Sequence, residues 1–237
     1  MNMHNRNLDA RNKWIISELE NIPSGLRILD AGAGECPYKR YCSHLDYVSQ
    51  DFGKYDGIGD GKGLYPKTWN NTKLDIVSDI TNIPEPDQSF DVILCAEVLE
   101  HIPEPYKAIE EFSRITKQGG ILLITAPFCS LTHFAPYHFS TGFNRYFYED
   151  VCNRYGYKIE QIQYNGNYFA YLEQEIHRLD NVAIRYAPRG LAPGRFKFEI
   201  RKLAKKIILS WLNELEKYDS GSHELLSFGL HVKAIKQ

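Results

Sequence analysis

Apolar positions along the chain keep two rhythms. Trp14, Ile15, Leu19 and Ile22 recur at helical spacing, with Asp9 placed to cap and Pro23 just beyond, so residues 9–22 are predicted to form a helix. The same spacing returns in 105–117, where Ala108, Ile109, Phe112 and Ile115 share a face and Gly119–Gly120 follow. Shorter helices are expected over 37–44, 97–101 and 149–155. Between them lie compact apolar runs bounded by turn residues: RILDAG (27–32), YVSQDF (47–52), LDIVSDI (74–80), FDVILCA (90–96), GILLITAPF (120–128), YKIEQIQY (157–164) and LLSFGLHVKAIK (225–236). Each reads as a strand. Strands alternating with helices imply an α/β fold with a mostly parallel sheet covered on both faces. Residues 53–73, rich in Gly, Asn and Asp, read as a loop.

The last two strands are separated by a long, mainly helical stretch. That divides the chain into a core (1–164 and 223–237) and an insertion (165–222). The 237 residues suffice for one large domain carrying such an insertion. With 43% hydrophobic and 24% charged residues, the chain is an ordinary globular protein. A net charge of −2 argues against a dedicated nucleic-acid coat, although a local basic patch survives that argument. No run reaches the ~20 apolar residues of a membrane-spanning helix. The polar residues 1–14 predict no secretory signal. Five cysteines, with no C-x-x-C pair, fit a reduced cytoplasmic protein without a disulfide framework or a zinc ribbon.

The sharpest signal is ILDAGAGECPY (28–38). A buried strand ends in Asp30 and runs into Gly32-Ala33-Gly34, where bare backbone permits a tight turn and close approach of a ligand. A dinucleotide site wants a third glycine, but Pro37 occupies that position, and Glu35 would repel a diphosphate. A cationic nucleoside without phosphate fits better, and S-adenosylmethionine (SAM) is one. Asp51, 21 positions after Asp30, is placed to accept ribose hydroxyls. Asp79 ends the third strand, where a carboxylate can accept the adenine amino group while Ile80 packs on the ring. Phe52, Cys95 and Ala96, at the ends of neighbouring strands, complete the expected cofactor set.

Glu97, Glu100 and His101 follow the fourth strand. If helical, they share one face, and two carboxylates with an imidazole invite Mg²⁺, Mn²⁺ or Fe²⁺. His138, or alternatively His133, on the loop after the fifth strand can complete the ligand set. Without a metal, His101 can serve as a general base, as can His133 or His138, while Glu97 merely neighbours the sulfonium.

The succession ILDAGAGECPY, SQDF, VSDI, FDVILCAEVLEHI, GGILLITAPF resembles the class I SAM-dependent methyltransferases, in the branch with E-V-L-E-H after strand four. The resemblance spans about 25–165 and the last strand. It implies a Rossmann-like sheet of seven strands with the last antiparallel, and Gly32, Gly34, Asp51 and Asp79 as cofactor contacts. The E-x-x-E-H set is similar to that of small-RNA 2′-O-methyltransferases and ubiquinone O-methyltransferases, which implies divalent-metal binding. THFAPYHFSTGFNRYF (132–147) resembles the H-x-A-P-Y segment of methyltransferases encoded with surface-polysaccharide genes, which points to Tyr137 and Arg145 on the substrate side.

The expected activity is therefore methyl transfer from SAM to an oxygen of a small, polar, anionic acceptor: a sugar, a phosphorylated metabolite or a nucleotide-linked compound. An RNA-ribose or quinone O-methyltransferase and a non-catalytic SAM-binding scaffold stand as alternatives. Residues 176–217 hold ten Lys/Arg against four Asp/Glu, a local net of +6 that leaves −8 for the rest. Their amphipathic run, FEIRKLAKKIILSWLNELEKY, is expected to pack on the domain, on a second copy of the chain in a homodimer, or on a membrane surface.

Overall fold

The computed structural model describes residues 6–64, 66, 68, 69, 73–191 and 195–237, without the side chains of 191 and 195–197. The start of the polar N-terminus and positions 65, 67 and 70–72 of the glycine-rich loop lie outside the described residues. Seven strands form one sheet: β1 (Arg27–Ala31), β2 (Asp46–Asp51), β3 (Ile76–Val77), β4 (Phe90–Ala96), β5 (Thr116–Pro127), β6 (Tyr157–Asn165) and β7 (Gly229–Lys236). Their order is β3-β2-β1-β4-β5-β7-β6. The β1–β2, β1–β4, β2–β3 and β4–β5 pairs are parallel, and β7 runs antiparallel between β5 and β6. This is the Rossmann-like sheet, antiparallel last strand included, that the sequence resemblance implies.

Among the described residues five α-helices accompany it: α1 (Arg6–Glu20), α2 (Pro105–Ile115), α3 (Arg145–Arg154), α4 (Tyr168–Tyr186) and α5 (Arg195–Lys217). Pro105 opens α2 at its first turn, where its fixed φ suits a helix and its missing N–H costs nothing. Ala108, Ile109, Phe112 and Ile115 are then fully buried on one side of the sheet, with Leu122, Ile124 and Tyr148. Each such large side chain contributes about 1.5–3 kcal/mol. On the other side α1 buries Trp14, Ile15 and Leu19 against Ile28, Val92 and Leu123. Asn144 and Asn167 cap α3 and α4 by accepting from Phe147 N and Ala170 N.

Three local expectations are corrected. Residues 37–44 form only one 3-10 turn, Lys39–Tyr41, which ends at Cys42, where the backbone leaves helical geometry (φ −106°, ψ 19°). The LDIVSDI run pairs only at Ile76 and Val77. Before them, the Asp75 carboxylate accepts from Ser49 N and Oγ, and Ser49 Oγ accepts from Asp75 N, so side chains replace the ladder. Glu97 does not begin a helix. It sits at φ +57° and donates its N–H to Thr125 O, extending the β4–β5 edge, and only Leu99–His101 then makes a 3-10 turn.

The chain divides into two compact units, with Arg6, Asn7 and Gly166–Phe228 in one and Leu8–Asn165 with Gly229–Gln237 in the other. The smaller unit is helical. Within it, α4 and α5 pack together, and Arg6 bonds Glu173 and Glu216.

Candidate active site

The strands β1, β2, β4 and β5 end on one side of the sheet, and the predicted residues gather there. After β1 the chain turns at Gly32 (φ +75°) and Gly34 (φ +50°). A Cβ at Gly32 would stand 2.5 Å from Val98 Cγ2, and one at Gly34 would stand 2.9 Å from the Trp69 ring. Only glycine fits either position. Asp51, closing β2, accepts from Gly34 N at 3.1 Å and Gly53 N at 2.8 Å, so its carboxylate is tied to the glycine turn. Asp79 accepts from Thr81 N and Oγ1, which fixes it at the end of the neighbouring strand. Ala33 is buried, and Ala96 is half-buried at the end of β4.

Three expected cofactor residues lie deeper than the sequence suggests. Asp30 is buried and accepts the Tyr47 hydroxyl at 2.6 Å. Burial raises its carboxyl to about 6, against the pull of that hydrogen bond. Cys95 and Ile80 belong to the hydrophobic core, where their side chains support the crevice from beneath.

Glu100 is fully buried, and neither carboxylate oxygen has a hydrogen-bond partner. His101 Nε2 and His133 Nε2 each lie 3.7 Å from Glu100 Oε1. His101 Nδ1 donates to Tyr137 O, and His133 Nδ1 donates to Leu131 O. Those two bonds fix the tautomers, so both rings turn an Nε2 lone pair toward the carboxylate. A carboxylate and two imidazole nitrogens facing one point can hold a cation between them. Among the described residues, Glu100, His101 and His133 are the group whose ligand atoms, all within 4.8 Å of one another, suit a metal ion.

Electrostatics follow the same geometry. Burial, aided by the charge of Glu97, raises the Glu100 carboxyl, and His133 opposes it. Burial and the charge of His133 lower His101 to about 4. Burial works to lower His133, but Glu100 and the Leu131 carbonyl outweigh it and hold that ring above its ordinary value. His138 is lowered by burial and by His133.

The expected metal set is thereby rearranged. Glu97 pairs with Arg11 of α1 at 2.6 Å, because its left-handed backbone takes it off the face that Glu100 and His101 share. His133 occupies the position expected for His138. His138 instead lies 3.1 Å from Ser130 Oγ, its ring 4.8 Å from that of His133 and 6.0 Å from that of His101. Arg145 makes an i,i+4 pair with Glu149 on α3. Tyr137 stays at the site through its carbonyl, with its ring edge-on to Phe52 at 4.9 Å.

Two features went unread in the sequence. Arg11 carries no motif, and only the fold brings α1 to the end of β4. The glycine-rich loop after β2 docks on the loop after β5 through Asp60 N to Ala135 O, Leu64 N to Thr132 O and Phe134 N to Leu64 O. Its rings cover the ground between the glycine turn and the histidines: Trp69 meets Phe134 at 5.5 Å, and Phe134 meets His101 at 5.2 Å. The run of Gly57, Gly59, Gly61 and Gly63 was the available signal.

Residues 29–124 match a family model described as a methyltransferase domain. A demethylmenaquinone methyltransferase of Paenarthrobacter aurescens (strain TC1) is 33% identical over 117 residues, 47% of this chain and 44% of that protein. A ubiquinone biosynthesis O-methyltransferase of Paraburkholderia phymatum is 32% identical over 114 residues, 47% of each chain. The chain thus spans about half the length of these curated relatives. The solved structure of the [4+2]-cyclase SpnF superposes with a TM-score of 0.55 at 18% identity, over 96% of this chain and 80% of that one, a likeness of fold. The matched segment is thus similar to methyltransferase domains, and the seven-stranded sheet has the fold which that likeness implies.

Proposed function

We propose that the protein transfers the methyl group of SAM to a ring hydroxyl with the help of a divalent cation held by Glu100, His101 and His133. The observation that carries the cation is the buried Glu100 carboxylate, unbonded at both oxygens and faced by two imidazole lone pairs. The glycine turn with Asp51 and Asp79 supports the cofactor reading, since it offers bare backbone and two acids without a phosphate cradle.

SAM supplies a methyl group on a sulfonium, and a divalent cation supplies charge that lowers the pKa of an acceptor hydroxyl. The chain does the rest. Asp51 and Asp79 orient the nucleoside, and the Trp69 and Phe134 rings exclude water between the two halves of the site. His138, outside the ligand trio and favoured neutral, takes the acceptor proton.

The acceptor we favour is a sugar hydroxyl, on a free, phosphorylated or nucleotide-linked sugar of surface-polysaccharide tailoring, on the strength of the 132–147 segment. The rings of Phe52, Tyr55, Phe134 and Tyr137 near the trio favour a second reading, an aromatic hydroxyl such as that of a quinone precursor. S-adenosylhomocysteine release, measured with nucleotide sugars, sugar phosphates and catechols, separates the two. EDTA is expected to abolish turnover and Mn²⁺ or Mg²⁺ to restore it. Glu100→Gln is expected to lose about 100-fold or more in metal affinity by calorimetry. Full activity after EDTA overturns the cation, and the absence of any SAM binding overturns the whole reading.

A further inference from the structure

The helical unit carries a surface that its own packing leaves uncovered. From Leu179 to Trp211 none of the described residues is buried. α5 faces α4 with Lys205, which bonds Asp180, and, further on, with the buried Leu212. On the opposite side Ile200, Leu203, Ile207 and Trp211 fall at i, i+3, i+7 and i+11, a single stripe. They are 51%, 59%, 60% and 60% exposed. The end of α4 adds Leu179, Ile184 and Tyr186, also more than half exposed. Arg201 and Lys206, both exposed, flank the stripe on α5, and Lys202, also exposed, lies on the polar side beyond them.

We propose that α5 docks on an anionic membrane surface, lying in the interfacial plane with this stripe inward and its basic flanks among lipid phosphates. Charge selects the occupant. The segment 176–217 carries +6 and the rest of the chain −8, so an anionic bilayer attracts that segment and repels the rest. A second copy would bring the same positive segment against itself. A Trp among aliphatic residues with Lys/Arg at the borders is the composition that seats a helix at headgroup depth. No described helix is long and apolar enough to cross a membrane, which suits docking in the plane.

Co-sedimentation of the full chain with phosphatidylglycerol-containing and pure phosphatidylcholine vesicles tests the proposal. Binding to the anionic vesicles is expected to be about tenfold or more tighter and to weaken in about 0.5 M salt. K202E/K206E is expected to lose the preference for anionic lipid, and L203S/I207S to lose binding to both, with circular dichroism unchanged. The proposal falls if the wild-type chain ignores anionic vesicles. It falls equally if light scattering shows a stable dimer that L203S/I207S dissociates, since a second copy then covers the stripe. Neither readout depends on methyl transfer.

Discussion

Two buried groups in the larger unit pull its acid stability in opposite directions. Asp30, raised to about 6 chiefly by burial, keeps a proton in the fold that the unfolded chain has lost above the ordinary value of 3.8. Its effect on stability therefore becomes less favourable as pH rises from about 4 to 6. His231 stacks on Trp14, has no hydrogen bond at either ring nitrogen, and is lowered to about 4 by burial and by Arg11. Its contribution is complete above 6.5 and is lost as pH falls toward 4. His101, also lowered to about 4, adds to that loss. Each swing is on the order of 2–3 kcal/mol. Urea unfolding at acid and neutral pH is expected to show His231→Phe, which keeps the stacked ring, losing less stability on acidification than the wild type. Asp30→Asn, which keeps an acceptor for Tyr47, is expected to lose more. Identical pH profiles for all three proteins would refute the assignment. At this scale the sequence exposes residue types and spacing but not backbone hand. The Glu97-to-His101 spacing suggests a shared helical face, whereas a single left-handed residue gives Glu97 to Arg11.

The elements that hold the sheet were legible because each carries its own periodicity, α2 above all. The loops around the site were not, since their partners are distant backbone groups. The docking of the β2 loop on the β5 loop is the case in point. A Cβ at Gly59 would lie 1.8 Å from Ala135 O, and one at Gly63 would lie 2.4 Å from Thr132 O, both at positive φ. Gly59→Ala and Gly63→Ala are expected to release this loop and leave the sheet intact. Trypsin should then cut at Lys54 or Lys62 about tenfold faster, with a urea midpoint close to that of the wild type. An unchanged cleavage rate would show that the loop is held by something other than these contacts.

Over the whole molecule, order is graded. Strands β1 and β4, and β5 from Leu122 to Pro127, are buried almost throughout, whereas the described residues of 179–211 contain no buried side chain. Hydrogen exchange is expected to be slowest in the former and fastest, among helical amides, in the latter, and anionic vesicles should slow the latter selectively. Comparable protection in both would contradict the picture. The helical unit departs from the sheet after Asn165 and rejoins it at Gly229, and these two residues are partners across the β6–β7 ladder. Two neighbouring antiparallel strand ends act as a socket: a turn of a few residues would close it as well, and a longer plug costs little more, because closure entropy grows only with the logarithm of length. The methyltransferase match at 29–124 stops well short of that socket. Under the two proposals made above, reaction chemistry and place of work are separable, and exchanging the plug is a route to redirect one without touching the other.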